Sequence, residues 1–147
     1  MSGSAPRTLF LDRDGVINAD TGYVHRWDDF RYLPGAVQAL QLMHRAGWQL
    51  VVVTNQSGIA RGLYTEAQYQ ALTQRLRAEL AHHGAPLLDV LHCPHHPDSP
   101  EPCATATPCT CRKPAPGLLL QAAARHSINL ARAALAGDQT SDIAAAR

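Results

Sequence analysis

Thr8-Leu9-Phe10-Leu11-Asp12-Arg13-Asp14-Gly15 passes in one step from a short, continuous apolar run to a pair of carboxylates. A run of that length and composition reads as a strand buried on both faces, with the acids at its carboxyl end. In extended backbone, residues two apart project to the same side, so Asp12 and Asp14 are expected to face one site while Arg13 points away. Gly15 lets the chain turn at once.

The pattern repeats outward from this stretch. Pro34-Gly35 opens a segment with Val37, Leu40 and Met43 at helical spacing, ended by Gly47, and Leu50-Val51-Val52-Val53 is a second buried strand. Thr54-Asn55-Gln56-Ser57-Gly58 follows it. Thr65-Glu66-Ala67-Gln68 has the form of a capping box, and Tyr69, Leu72, Leu76 and Leu80 carry a helix towards Gly84. Asp89 to Cys93 reads as a short strand, residues 94–116 as a Pro-, Cys- and Thr-rich loop, Gly117 to His126 as a helix and Ala133 to Gly137 as the last strand. Strands alternating with helices predict an α/β, Rossmann-like parallel sheet with helices on both faces. Polar clusters at Asp12, Thr54 and Asp138 each follow such a strand, where ligands bind in open parallel sheets.

With 147 residues, 46% of them hydrophobic and 17% charged, the chain is the size of one domain, residues 1–147, with a single site. A formal charge of +1 with scattered Lys and Arg gives no footing for nucleic acid or an anionic membrane. No apolar stretch approaches the roughly 20 residues of a bilayer span, and the N-terminus lacks signal-peptide regions, so the cytoplasm is the expected location. A monomer is expected.

The acid pair suits phosphoryl transfer. One carboxylate can attack phosphorus, and the other can protonate the leaving oxygen and later take a proton from water. Phosphate beside carboxylate requires a hard cation and fixed donors. Asp138 is a candidate magnesium ligand, Thr54 can supply a hydroxyl and Lys113 a positive charge. Each residue alone has an ordinary structural explanation: Asp beside Gly serves turns, and Thr at a strand end caps helices. Asp142 is explained by the dipole of the helix it would begin.

Cys93-Pro94-His95 and Cys109-Thr110-Cys111 offer three thiolates and an imidazole, a composition that fits tetrahedral structural zinc. The expected ligands are Cys93, His95, Cys109 and Cys111, with His92 or His96 as competing imidazoles and Cys103 spare. Cys93 has an alternative as a buried apolar residue. Arg112-Lys113 follows Cys111 directly, so zinc would position the lysine. The two ions divide by ligand preference, zinc taking sulfur and nitrogen and magnesium taking oxygen.

The ordered set Asp12-x-Asp14-Gly15, Thr54-Asn55, Lys113-Pro114 and Gly137-Asp138 resembles the motifs of haloacid-dehalogenase-like phosphatases. The resemblance implies that Asp12 is the nucleophile, Asp14 the acid/base, and Thr54 and Lys113 the phosphate clamps. Magnesium would be held by Asp12, the Asp14 carbonyl and Asp138. Asp12 to Asn18, Gly22-Tyr23-Val24-His25, Thr54 to Gly62, Cys93 to Pro97 and Cys109 to Pro114 narrow the likeness to the heptose 1,7-bisphosphate 7-phosphatase family, across Thr8 to Arg147. That likeness implies hydrolysis of the 7-phosphate of a small phosphorylated sugar, on a route supplying heptose for lipopolysaccharide or related glycoconjugates. It assigns Asp20, Thr21, Gly22 and Tyr23 to the sugar, Thr54, Asn55, Gln56 and Ser57 to the transferred phosphate and nearby hydroxyls, and Arg112 to the distal phosphate. It implies no large cap domain, and family members continue beyond the point matching Arg147 to another strand.

Three other readings compete. Histidinol-phosphate phosphatases share the aspartates and a similar zinc loop. A receiver-like phosphoacceptor shares the chemistry but places its acidic residues in a different order. A zinc-stabilised binding module would leave the acids structural.

Overall fold

The computed structural model describes residues 6–94 and 117–137. Four parallel strands, β1 (Thr8–Leu11), β2 (Gln49–Asn55), β3 (Asp89–Cys93) and β4 (Ala133–Ala136), form one sheet in the order β3-β2-β1-β4. The connecting helices are α1 (Ala36–Arg45), α2 (Glu66–His82) and α3 (Gly117–His126), with 3₁₀ turns at Trp27–Asp29 and Leu130–Arg132. The alternation read from the sequence therefore gives the expected parallel α/β sheet.

The pleat sorts each apolar run between two cores. Leu11, Leu50 and Val52 face Leu40 of α1 and Leu72, Leu76 and Leu80 of α2, joined by Ile17, Val24 and Phe30. Phe10, Val51, Val53, Leu91 and Cys93 face Leu118, Leu119 and Ala122 of α3. Helices thus cover both faces, which is why β2 needs a continuous apolar run. Each fully buried Leu or Val in these layers contributes about 1.5–3 kcal/mol of burial free energy.

The helix starts follow their local chemistry. Thr65 accepts from the Gln68 amide while the Gln68 side chain accepts from the Thr65 amide, so α2 begins with a complete capping box. α1 starts from Gly35 at φ 81°, a left-handed position. Asp89, at the start of β3, ties helices to the sheet: it lies 2.9 Å from Arg125 Nη1, 2.8 Å from His126 Nε2 and 3.6 Å from Arg77 Nη1. Among the described residues no helix is long and apolar enough to cross a membrane.

One boundary differs from expectation. Thr54 and Asn55 are the last two residues of β2, paired with His92 and Cys93 of β3, and do not follow the strand as loop. Their polar side chains resemble a strand stop, but pairing with a distant segment extends the ladder through them.

Candidate active site

The acid pair does not continue β1. The strand stops at Leu11, and the following residues wrap around one oxygen: the amides of Val16, Ile17 and Asn18 donate to the Arg13 carbonyl at 3.2, 2.8 and 3.2 Å. Gly15, at φ 83°, makes the turn. Arg13 does not point away from the pair, as an extended backbone would require. Its Nε and Nη2 donate to Asp14 Oδ1 at 3.2 and 3.0 Å, and Nη2 also donates to the Val24 carbonyl at 2.7 Å. The tight loop lets the long side chain fold back over its neighbour.

Asp14 is held from three sides. Beyond Arg13, Asn18 Nδ2 donates to Oδ1 at 3.0 Å and Gln56 Nε2 donates to Oδ2 at 3.2 Å. The same Gln56 nitrogen donates to Thr54 Oγ1 at 3.0 Å. Asp14 from the loop after β1 and Thr54 from the end of β2 therefore meet on one amide. The Gln56 oxygen accepts from the Tyr64 hydroxyl, and both residues are buried. Burial pushes the Tyr64 phenol up to about 12, a rise that nearby Arg13 opposes and Asp14 reinforces.

Asp12 is 8% exposed. Its amide donates to the Ala136 carbonyl at 3.1 Å, which sets the ends of β1 and β4 side by side, and its Oδ1 accepts from the Arg13 amide at 2.8 Å. The donors at this strand end suit a hard cation. They include the Asp12 carboxylate, and the bridge between Asp14 and Asn18 uses the Arg13 carbonyl and the Gly15 amide.

The segment Asp20 to Tyr23 is exposed and packs against the loop after β2. Asp20 Oδ1 accepts from the Gly22 amide at 3.3 Å, and Arg61 donates to the Tyr23 hydroxyl with its guanidinium 5.5 Å from the ring centre. A Cβ on Gly58 would meet Tyr23 Cδ1 and Tyr64 Cζ, each at 2.9 Å. His25 stacks on Tyr64 with ring centres 4.9 Å apart. A cavity of about 370 Å³ opens beside this layer, lined by Thr21, Gly22, Tyr23, His25 and Arg31 among others.

Main-chain bonds link this loop to the end of β3. Gln56 N donates to the Cys93 carbonyl at 2.8 Å and Ala60 N to the Pro94 carbonyl at 3.2 Å. Cys93 itself is buried in the α3 core. His92, the competing imidazole within the described residues, has Nε2 2.8 Å from Glu66 Oε1 and its ring stacked on Tyr69 at 4.1 Å. His95, Cys109, Cys111, Arg112, Lys113 and Asp138, with Cys103 and Asp142, lie outside the described residues. No metal-binding group of three or more His, Cys, Asp or Glu occurs among the described residues.

Sequence reasoning brought Asp14, Thr54 and Gln56 to one site but missed Arg13, Asn18 and Tyr64 as their supports. Asn18 had a local signal, four residues after Asp14 in a turn-rich stretch. Tyr64 had none, since its link to Gln56 depends on how the loop after β2 closes.

A family model described as polynucleotide kinase 3 phosphatase matches residues 9–145. D-glycero-beta-D-manno-heptose-1,7-bisphosphate 7-phosphatase of Escherichia coli is 46% identical over 147 residues, covering 99% of this chain and 75% of that protein. D-glycero-alpha-D-manno-heptose-1,7-bisphosphate 7-phosphatase of Photorhabdus laumondii is 44% identical over 137 residues, covering 93% and 74%. The crystal structure of D,D-heptose 1,7-bisphosphate phosphatase from B. bronchiseptica, complexed with magnesium and phosphate, superposes with a TM-score of 0.82 at 37% identity, over 95% of this chain and 74% of that one. A HAD-like phosphatase from Mesorhizobium loti superposes with a TM-score of 0.86 at 37% identity, over 99% and 71%.

Proposed function

The chain belongs to the heptose 1,7-bisphosphate 7-phosphatase family of haloacid-dehalogenase-like phosphatases, and from that premise we propose that it hydrolyses the 7-phosphate of D-glycero-D-manno-heptose 1,7-bisphosphate through a phosphoaspartate. The observation that carries the reading is the meeting of Asp14, from the loop after β1, and Thr54, from the end of β2, on the Gln56 amide. A phosphatase needs an acid and a phosphate-binding hydroxyl in fixed relation, and the shared amide supplies it.

In this reading an Asp12 oxygen attacks phosphorus in line, the bond from phosphorus to the sugar oxygen breaks, and Asp14 gives that oxygen its proton. Water then attacks the phosphorus of the acyl phosphate and passes a proton to Asp14. Inorganic phosphate leaves and the Asp12 carboxylate is restored. Thr54 and Lys113 hold the transferred phosphate, with Asn55, Gln56 and Ser57 around it. Asp20, Thr21, Gly22 and Tyr23 line the sugar side, and Arg112 holds the distal phosphate, a task suited to its planar, bidentate donors.

Magnesium, held by Asp12, the Asp14 carbonyl and Asp138, would offset the negative charge that phosphate brings against the carboxylates. Cys93, His95, Cys109 and Cys111 would hold structural zinc. The reading is supported by the thiolate-rich composition of residues 93–111 and by the bonds that tie its first two carbonyls to the loop after β2. Thiolate ligands favour a reducing compartment, the cytoplasm.

The test is magnesium-dependent phosphate release from heptose 1,7-bisphosphate beside histidinol phosphate and fructose 1,6-bisphosphate, with Asp12→Asn as control. The heptose is expected to be strongly preferred and Asp12→Asn to be inactive. Preference for histidinol phosphate would move the substrate and keep the chemistry, whereas full activity of Asp12→Asn would end the mechanism.

A further inference from the structure

We propose that Tyr64 is a positioning residue for the reaction, whose hydroxyl holds the Gln56 amide so that its nitrogen faces Asp14 and Thr54. The inference rests on the roles given above to those two residues.

A glutamine amide has one acceptor oxygen and two N–H donors. An ionised Asp14 accepts only, so nitrogen must face it, and the second N–H then reaches Thr54 Oγ1. With a lone pair of Thr54 already used, its own proton is available for a phosphate oxygen. Among the described residues that proton has only a long contact, 3.4 Å to the Asn55 carbonyl.

Rotation about the last torsion of glutamine is soft, and a turned amide would set its oxygen against the Asp14 carboxylate and the Thr54 hydroxyl. The Thr54 proton would then be drawn to Gln56 and the phosphate would lose a donor. Tyr64 opposes the turn. Among the described residues its buried hydroxyl donates to the Gln56 oxygen alone, so a turned amide would leave that proton without an acceptor. Stacking on His25 and contact at Gly58 fix the ring that carries the hydroxyl.

Tyr64→Phe keeps the ring and removes the hydroxyl. The measurement is kcat and KM of wild type, Tyr64→Phe and Asp14→Asn on heptose 1,7-bisphosphate and on p-nitrophenyl phosphate, whose leaving oxygen needs little protonation. Tyr64→Phe is expected to lower kcat on the order of 10-fold on both substrates with KM little changed, because the lost donor serves the phosphate and not the leaving oxygen, whereas Asp14→Asn should be much more damaging on the sugar. In a Gln56→Leu background the Tyr64 change should add nothing. An unchanged kcat for Tyr64→Phe, or a loss that persists undiminished in the Gln56→Leu background, would overturn the proposal. If Asp14→Asn discriminates between the substrates and Tyr64→Phe leaves both unchanged, only the role of Tyr64 fails. If Asp14→Asn does not discriminate, the acid/base assignment fails and takes this inference with it.

Discussion

Arg13 and Asp14, adjacent in sequence, form an ion pair with Nη2 3.0 Å from Oδ1, although Arg13 is 1% exposed. The same Nη2 donates to the Val24 carbonyl at 2.7 Å, so one buried guanidinium joins the acid loop to the segment preceding Trp27. A charge this far from water is sustained only when paired and hydrogen-bonded, and Arg13 meets both conditions.

Arg13→Met should therefore act on stability and activity together. It strands the Val24 carbonyl and removes the only cation paired with Asp14 among the described residues, a loss of about 2–3 kcal/mol. The urea midpoint should fall accordingly, and sugar phosphate turnover should fall beyond what the unfolded fraction explains. An unchanged midpoint would show that the pair does not hold the loop.

Gly58→Ala tests the layer formed by the two loops. The new Cβ would press on the rings of Tyr64 and Tyr23, and overpacking of this kind costs about 1–3 kcal/mol. KM for the sugar bisphosphate should rise with the displacement of Tyr23, and thermal denaturation should show the lost stability. A variant with wild-type KM would separate Tyr23 from substrate binding.

Asp89 gives a dependence on pH. Burial alone would raise its carboxyl, but hydrogen bonds from His126, Arg125 and the Val90 amide outweigh burial and hold it below the ordinary value of 3.8. A depressed folded value contributes stability above the unfolded pKa and loses it as pH falls through the folded one. Asp89→Asn should thus be destabilised at neutral pH, and its difference from wild type should shrink below pH 3.8. Denaturant titrations of both proteins across that range check it, a constant difference being the contrary result.

Cys109→Ser should reduce the zinc that copurifies with the protein and lower its melting temperature, while magnesium still activates the remaining folded enzyme. Metal analysis of the wild type decides first. Stoichiometric zinc is expected, and its absence from freshly purified protein would remove the zinc reading.

The layered sheet was legible because burial on both faces demands continuous apolar runs. Thr8–Leu11, Asp89–Cys93 and Gly117–His126 were readable with their boundaries, and the capping box at Thr65 marked the start of α2. The extension of β2 through Thr54 and Asn55 was not, since it depends on β3, and neither was the strand order. At the site, residue types announced the chemistry of Asp14 and Thr54, but their support was hidden. Arg13 folds back because β1 ends at Leu11, and Tyr64 reaches Gln56 only through the closed loop. Local spacing carries no record of either contact.

The placement of β1 between β2 and β4 has a consequence for biosynthesis. Thr8 pairs with Gln49 on one side and with Ala133 on the other, and the Asp12 amide bonds to Ala136. A ribosome delivers β1, β2 and β3 long before β4, so three strands can associate on the emerging chain while the other edge of β1 stays open. The last pairing closes a very long loop and comes late in folding. Asp12 is thus synthesised well before the strand that locks it, so the acid loop gains its final frame only when residues 133–136 have joined the sheet.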